Sequence, residues 1–362
     1  MSAPAKDRAN PAPKPTPPLW TRVISTPVRR HILCAVLALV VIVLVMESIS
    51  TFRQSQLTSV AYLAIAAGGL TILTGINGQL SLGHGAFMAV GAYTAALMLR
   101  AQDSGWTVPL VLLAATVVTS IVGVIVGIAA ARLHGPYLAG ATLALAVAVP
   151  GLALYFSEYL GGEQGLVIPV PKVPTLLDDA MFFLTGNELS GTKFVSYISW
   201  VLLVIVFALL ANVASSRTGR RWRAVRDDEV AAELAGINLG RARILAFVVS
   251  AACAGAAGAV LAMASRIAAP SGFTLTLSLT LLSAVVIGGL GSLSGALIGA
   301  LLLTYIPPVV TNLGLDAGLS SLQSAELAPL VTGVFTVLVI LFAPSGLMGI
   351  IRNRRLKRKG EK

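Results

Sequence analysis

The chain has 362 residues, 56% of them hydrophobic and 11% charged, with a formal net charge of +11. That is more apolar surface than a soluble fold of this length can bury, which excludes a water-soluble enzyme or binding module and predicts an all-α polytopic integral membrane protein. Cys34 and Cys253, and His31, His84 and His134, stand apart without pairing or ligand spacing, so neither a disulfide nor a metal site is expected.

In chain order, residues 1–30 mix Pro, Ala and Lys (PAPKPTPPLW), a composition that cannot build a packed core and predicts a disordered cytoplasmic tail. Residues 31–350 form the predicted transmembrane domain, with ten apolar segments at 31–50, 57–74, 82–99, 108–131, 137–156, 194–213, 244–264, 275–290, 293–311 and 327–345. Each approaches the roughly 20 residues a helix needs to cross about 30 Å of hydrocarbon, so about ten transmembrane helices are expected. Gly-rich turns rather than charged loops set off the second, eighth and ninth segments, which leaves a count of eight or nine open. No small-x-small cleavage site closes the first apolar run, so it reads as a retained span rather than a signal peptide.

Residues 68–91 are punctuated by Gly68, Gly69, Gly75, Gly78, Gly83, Gly85 and Gly91, with Asn77, Gln79, Ser81 and His84 between them. This pattern suits an interrupted membrane helix, whose unwound backbone and helix ends can bind a zwitterion without buried side-chain charge. Small residues also let helices pack closely, and Gln and Ser serve as interhelical hydrogen-bond donors, so substrate contact and packing both stand as readings.

The 157–193 loop carries Glu158, Glu163, Asp178, Asp179 and Glu188 against Lys172 and Lys193, and reads either as a periplasmic surface for a soluble binding protein or as a solvated loop. A polar island, RTGRRWRAVRDDEVAAELAGINLGRAR, follows at 217–243, within a predicted cytoplasmic loop over 214–243. From Asp227 to Ile237 its signals predict one short helix: Asp227, Asp228 and Glu229 in the first turn, Gly236 as a left-handed stop, and Arg241 and Arg243 beyond. Val230, Leu234 and Ile237 would share one small face with Ala231 and Ala235, flanked by Glu229 and Glu233. Such a face is either a knob for a groove on another protein or a solvated loop helix.

Near the C-terminal end, Gly291, Gly295 and Gly299 at i, i+4 and i+8 form a smooth stripe for close packing, within this chain or against a partner. Gly78-Gln-Leu-Ser-Leu-Gly83 resembles Gly291-Ser-Leu-Ser-Gly295, as a remnant of duplication or by coincidence of common residues. The basic stretch 351–362 is a second cytoplasmic tail.

With the N-terminus inside, 21 of the Lys and Arg residues fall on the cytoplasmic face and five, Arg53, Arg100, Lys172, Lys193 and Arg266, fall outside. Both termini are therefore expected to be cytoplasmic. The acids divide as six inside and nine outside, giving +15 on one face and −4 on the other. Topology and attraction to lipid headgroups account for the basic sum, so no nucleic-acid partner is expected and the lipid bilayer is. No Lys, Arg, Asp or Glu need lie deep in a span, which argues against an ion-coupled carrier, since that would keep costly ionisable groups in the membrane.

The island is similar to the coupling loop of ABC importer permeases, whose pattern is Glu-Ala-Ala, three residues, then Gly: Ala231, Ala232 and Gly236 fit, while Val230 takes the Glu place and Glu229 lies one residue earlier. The wording DDEVAAELAGIN resembles the version in branched-chain amino acid permeases of the LivM type, and further stretches match that family: LTGINGQLSLGHGAFMAVGAYTAALM (73–98), GPYLAGATLALA (135–146), GGEQGL (161–166), VIGGLGSLSGALIGA (286–300) and LFAPSGLMG (341–349). The likeness runs from about Leu57 to Gly349. It implies a non-enzymatic permease subunit of the bacterial inner membrane, importing leucine, isoleucine and valine, or urea or short-chain amides by the same machinery. Implied partners are a second permease of the LivH type, two ATPase subunits and a periplasmic substrate-binding protein. The chain lacks a Gly-x-x-x-x-Gly-Lys-[Ser/Thr] motif, so no cofactor is expected on it, and ATP and Mg belong to the ATPases. The resemblance makes Arg226, Asp227, Asp228, Glu229, Val230, Ala231, Ala232, Glu233 and Gly236 candidates for ATPase coupling. The substrate-path candidates are Gly75, Asn77, Gly78, Gln79, Ser81, Gly83 and His84.

Overall fold

A computed structural model describes residue 37 and residues 40–101, 107–133, 135–343 and 346–350. The two predicted tails, Cys34, His31 and His134 lie outside these residues.

The described residues are helical almost throughout. The helices are α1 (Thr51–Leu70), continued by π-helical Thr71–Ile76; α2 (His84–Leu99); α3 (Val108–Ala130); α4 (Pro136–Tyr155); α5 (Thr175–Thr185); and α6 (Gly191–Ser215). They continue with α7 (Arg217–Asp227), α8 (Glu229–Leu234), α9 (Leu239–Ser265), α10 (Leu275–Gly288), α11 (Leu293–Asp316) and α12 (Ser321–Phe342). Among the described residues, eight helices are long and apolar enough to cross a membrane, and α2 is a shorter apolar helix. These nine correspond in order to the second through tenth predicted spans. The first predicted span is described at residue 37 and over 40–50, where 40–48 are helical.

Hydropathy misplaces some ends, for a local reason. α9 begins at Leu239 rather than at 244, because the Asn238 side chain accepts the Arg241 amide at 2.8 Å and caps the helix. Arg241 and Arg243 therefore sit inside its first two turns, not in the preceding loop.

α9 is the hub of the molecule and packs most heavily on α3, α2 and α1. Its sequence explains this: Ala, Gly and Ser recur around the whole circumference from Ser250 to Ala264, so backbones can approach from several sides. Of the most apolar stretch of each helix, α1 with its π-helical end is 83% buried and α9 67%, against 22% for α4, which places α1 and α9 at the centre and α4 at the edge.

At the end of α9 away from the island, Leu166 pairs with Ala268 and Val167 with Ile267 in a two-stranded antiparallel ladder. The Ile168 amide extends it to the Arg266 carbonyl at 2.9 Å. Arg266 takes a left-handed conformation, φ 59°, to turn the chain from helix into strand, and its guanidinium donates to Thr192 Oγ1 at 2.9 Å.

Candidate functional site

The helix expected over Asp227–Ile237 is present as the shorter α8, Glu229–Leu234, and a further helix of the island, α7, precedes it over Arg217–Asp227. The first, α7, is capped by Ser216, whose hydroxyl accepts the Thr218 amide at 3.1 Å. It is anchored by Trp222, fully buried, whose indole N–H donates to the Ala242 carbonyl of α9 at 2.9 Å. Asp227 is the last residue of α7. Asp228 breaks the helix with extended backbone (φ −158°, ψ 113°), and its carboxylate accepts the Ala231 amide at 3.0 Å, starting α8. An Asp that serves as a helix cap in this way was read from sequence as a first-turn acid. Gly236 stops α8 at φ +79°, as its predicted role required.

On α8, Val230 and Leu234 are 69% and 86% exposed while Ala232 is buried, so the apolar knob faces away from the protein. Glu233 is exposed beside it, and Glu229 is held in place: its Oε1 lies 2.6 Å from Nη2 of Arg243, whose side chain is 5% exposed. Arg243 Nη1 also donates to the Ala131 carbonyl at 3.2 Å, tying α8 to α9 and to the end of α3. Removing the cap by Asp228→Ala should cost α8 about 1 kcal/mol. Hydrogen exchange over residues 229–235 is expected to speed up, with a few-fold slowing of any transport the knob drives; unchanged exchange would refute the capping role.

The predicted interruption of the membrane helix is present, and its geometry is specific. After Leu70 the ladder widens to π-helical pairing, with the Asn77 amide reaching the Ile72 carbonyl, and beyond it the Gln79 amide turns back six residues to the Leu73 carbonyl, both at 3.0 Å. The chain then runs without regular structure to His84, where α2 starts. Side-chain hydroxyls, two of them from other helices, pair with backbone groups of this stretch. The Leu82 amide donates to Thr142 Oγ1 at 2.9 Å, the Gly85 amide to Ser278 Oγ at 2.9 Å, and Thr74 Oγ1 to the Gln79 carbonyl at 3.0 Å. His84 Nε2 lies 3.3 Å from Ser250 Oγ. Thr142, Ser278, Thr74 and Ser250 escaped the sequence reading; isolated hydroxyls in apolar spans were their only signal.

These contacts move the candidate binding groups from the backbone to the side chains. The amide N and O of both Asn77 and Gln79 are buried without a protein hydrogen-bond partner, as is His84 Nδ1. Buried polar atoms are nearly always paired, because leaving one unpaired costs about 1–3 kcal/mol. Ser81 and Gly83 are buried beside them, and Gly78, at φ +84°, is exposed at the tip.

The island and the interrupted helix meet. Arg226 Nη1 donates to the Gly75 carbonyl at 2.7 Å, and its Cγ occupies the space that a Cβ on Gly78 would need. On its other side, Gly75 abuts the Gly291 backbone so closely that a Cβ would overlap the Gly291 amide nitrogen. The first residue of the Gly291–Gly295 turn thus lies against Gly75, three residues ahead of the Gly78–Gly83 stretch that it resembles in sequence. Gly291 itself sits in the α10–α11 turn at φ +80°, ahead of the helix, so the expected stripe reduces to Gly295 and Gly299. These pack within the chain, against the backbones of Gly288 and Ala284 of α10.

In the 157–193 loop, Gly161, Gly162 and Gly165 take positive φ, and Asp178 is engaged internally, accepting the Leu189 amide at 2.8 Å. Glu47 accepts from Lys193 Nζ and Tyr197 and so fastens segment 40–48 to α6. A cavity of about 590 Å³ between α3, α5 and α6 is lined by apolar side chains such as Leu113, Met181 and Ile198 and holds none of the predicted site residues.

Comparison with known proteins gives this architecture a family. A family profile described as "Branched-chain amino acid transport system / permease component" matches residues 53–343. The chain is 31% identical over 310 residues to the high-affinity branched-chain amino acid transport system permease protein LivM of Salmonella typhimurium, covering 81% of this chain and 69% of that protein. It is 30% identical over 345 residues to LivM of Escherichia coli, covering 91% and 77%. The permease protein LivH of Escherichia coli is 29% identical over 298 residues, covering 79% and 91%. The chain belongs to the permease-component family of branched-chain amino acid transport systems.

Proposed function

We propose that the chain is a membrane-spanning permease subunit of an ATP-driven ABC importer for leucine, isoleucine and valine in the bacterial inner membrane. In this reading it has ten spans, formed by the eight long helices, α2 and the 31–50 segment, with both tails cytoplasmic. A second permease of the LivH type stands beside it. Two ATPase subunits holding ATP and Mg grip the island through Val230 and Leu234, and a periplasmic binding protein delivers substrate at the 157–193 loop. The ATPases hydrolyse ATP, and this chain is a moving part.

The observation that carries the reading is the junction of island and interrupted helix. An exposed apolar knob on α8 suits a partner's groove, and the same island reaches Gly75 at the root of a segment whose Asn77 and Gln79 amides are buried without partners. A lever can drive transport only if it contacts the two transport states differently, and the knob and the junction supply the two contacts.

The test is reconstitution. The chain co-purified with its permease and ATPase partners should take up leucine into vesicles only with ATP and the binding protein present. Uptake driven by an ion gradient through the isolated chain would overturn the reading. Transport of urea or short-chain amides in place of leucine would keep the machinery and change the substrate.

A further inference from the structure

We infer that Arg226, whose side chain is 42% exposed but whose Nη1 reaches the Gly75 carbonyl, is a positioning residue that transmits the island's movement to the interrupted helix; the inference rests on the importer reading above. Arg226 lies in the last turn of α7, two residues ahead of the break at Asp228. Its Nε and Nη2 both donate to Asp227 Oδ1, at 3.1 and 2.9 Å, which fixes the plane of the guanidinium. The remaining nitrogen, Nη1, is thereby aimed at the Gly75 carbonyl.

That carbonyl is available because the helix has come apart. In an uninterrupted α-helix Gly75 O would accept the Gln79 amide, but here Gln79 turns back to Leu73. A carbonyl freed at the C-terminal end of a helix carries the negative end of the helix dipole, where a cationic donor is the favoured cap.

The glycines around Arg226 are explained by the same contact. Gly78 leaves room for the Arg226 stem, with a Cβ there falling 2.7 Å from Arg226 Cγ, and Gly75 leaves room for the Gly291 backbone. One side chain thus joins the island to the end of α1 and, through Gly75, to the α10–α11 turn. Exposed ion pairs such as Arg226–Asp227 contribute little to stability, so the expected role is directional.

The experiment uses the assembled complex in vesicles with its binding protein, and reads leucine moved per ATP hydrolysed. Arg226→Ala should lower that ratio on the order of tenfold, the loss expected when one charge-assisted hydrogen bond is removed from one of two states. Arg226→Lys, which keeps a donor for Gly75 but lacks the fork for Asp227, should recover part of it, and Asp227→Asn should lower it less than Arg226→Ala. If Arg226 only stabilises the fold, uptake and hydrolysis fall together with the amount of assembled complex and the ratio stays at the wild-type value, which overturns the inference. A wild-type complex whose uptake needs no ATP instead defeats the importer reading, and the control lane separates the two failures.

Discussion

Gly258→Leu is expected to leave less than about a tenth of the wild-type amount of folded protein in the membrane, on the basis of the cost of over-packing a closely fitted contact. At this crossing α2 and α9 touch backbone to backbone: a Cβ on Gly258 would overlap the Met88 carbonyl, one on Gly91 would overlap the Gly255 carbonyl, and one on Gly255 would run into Thr119 of α3. A clash with a flexible side chain can be relieved by a rotamer change, but a clash with a carbonyl in a helix moves the whole helix. Separating α2 from α9 would strip the burial from Phe87, Met88, Ala254 and Ala257, all 1% exposed or less. Over-packing alone costs up to about 3 kcal/mol, and the lost contacts add to it. Detergent-solubilised protein should be assayed by size exclusion and thermal denaturation, with Gly333→Leu as control, since a Cβ at Gly333 meets nothing within 4 Å. A Gly258→Leu variant that is monodisperse at wild-type yield would show that the helices cross differently.

Replacing both Asn77 and Gln79 by alanine is expected to raise the substrate concentration for half-maximal uptake by about ten- to a hundredfold, while leaving thermal stability equal or higher. The reasoning turns on the sign of the stability change. Their four amide atoms have no protein partner in this structure, so deleting them removes unsatisfied buried groups and no intramolecular hydrogen bond. If a zwitterionic substrate supplies the missing partners, alanine forfeits hydrogen bonds to charged groups, worth about 1.5–3 kcal/mol each. If the two residues instead glue helices together, the double variant should melt earlier and keep its apparent affinity. Concentration-dependent uptake and a melting curve on one preparation decide between these outcomes.

Hydropathy made the helices legible because apolar length is written locally: nine helices fall where the sequence placed them. What it could not show was which helix is central. α9 is no more apolar than α3, and its place at the hub follows from Ala and Gly on every side, a property that matters only once neighbours are present. The island was legible in location and in its stop at Gly236, yet its division at Asp228 depends on whether one carboxylate caps a helix or merely charges it. The interrupted helix was legible from its glycines. Which groups remain open to a ligand was not, because Thr142, Ser250 and Ser278 come from spans far away in sequence to occupy the backbone donors and the His84 ring. The Arg226–Gly75 contact, 151 residues apart along the chain, left no trace in composition or spacing.

The short ladder between Leu166–Val167 and Ile267–Ala268 has a consequence for timing. It rivets the loop beyond α4 to the far end of α9, a rod of 27 residues whose other end holds Arg243 against Glu229. At 1.5 Å per residue that rod is roughly 40 Å long, and an α-helix resists stretching along its axis. One helix therefore connects the ladder at one end to the Arg243–Glu229 pair at the other. In the proposed importer, a binding protein settling on that loop and ATPases gripping the island would bear on the two ends of this one helix, so arrival of substrate and closure on ATP would need no separate messenger between them.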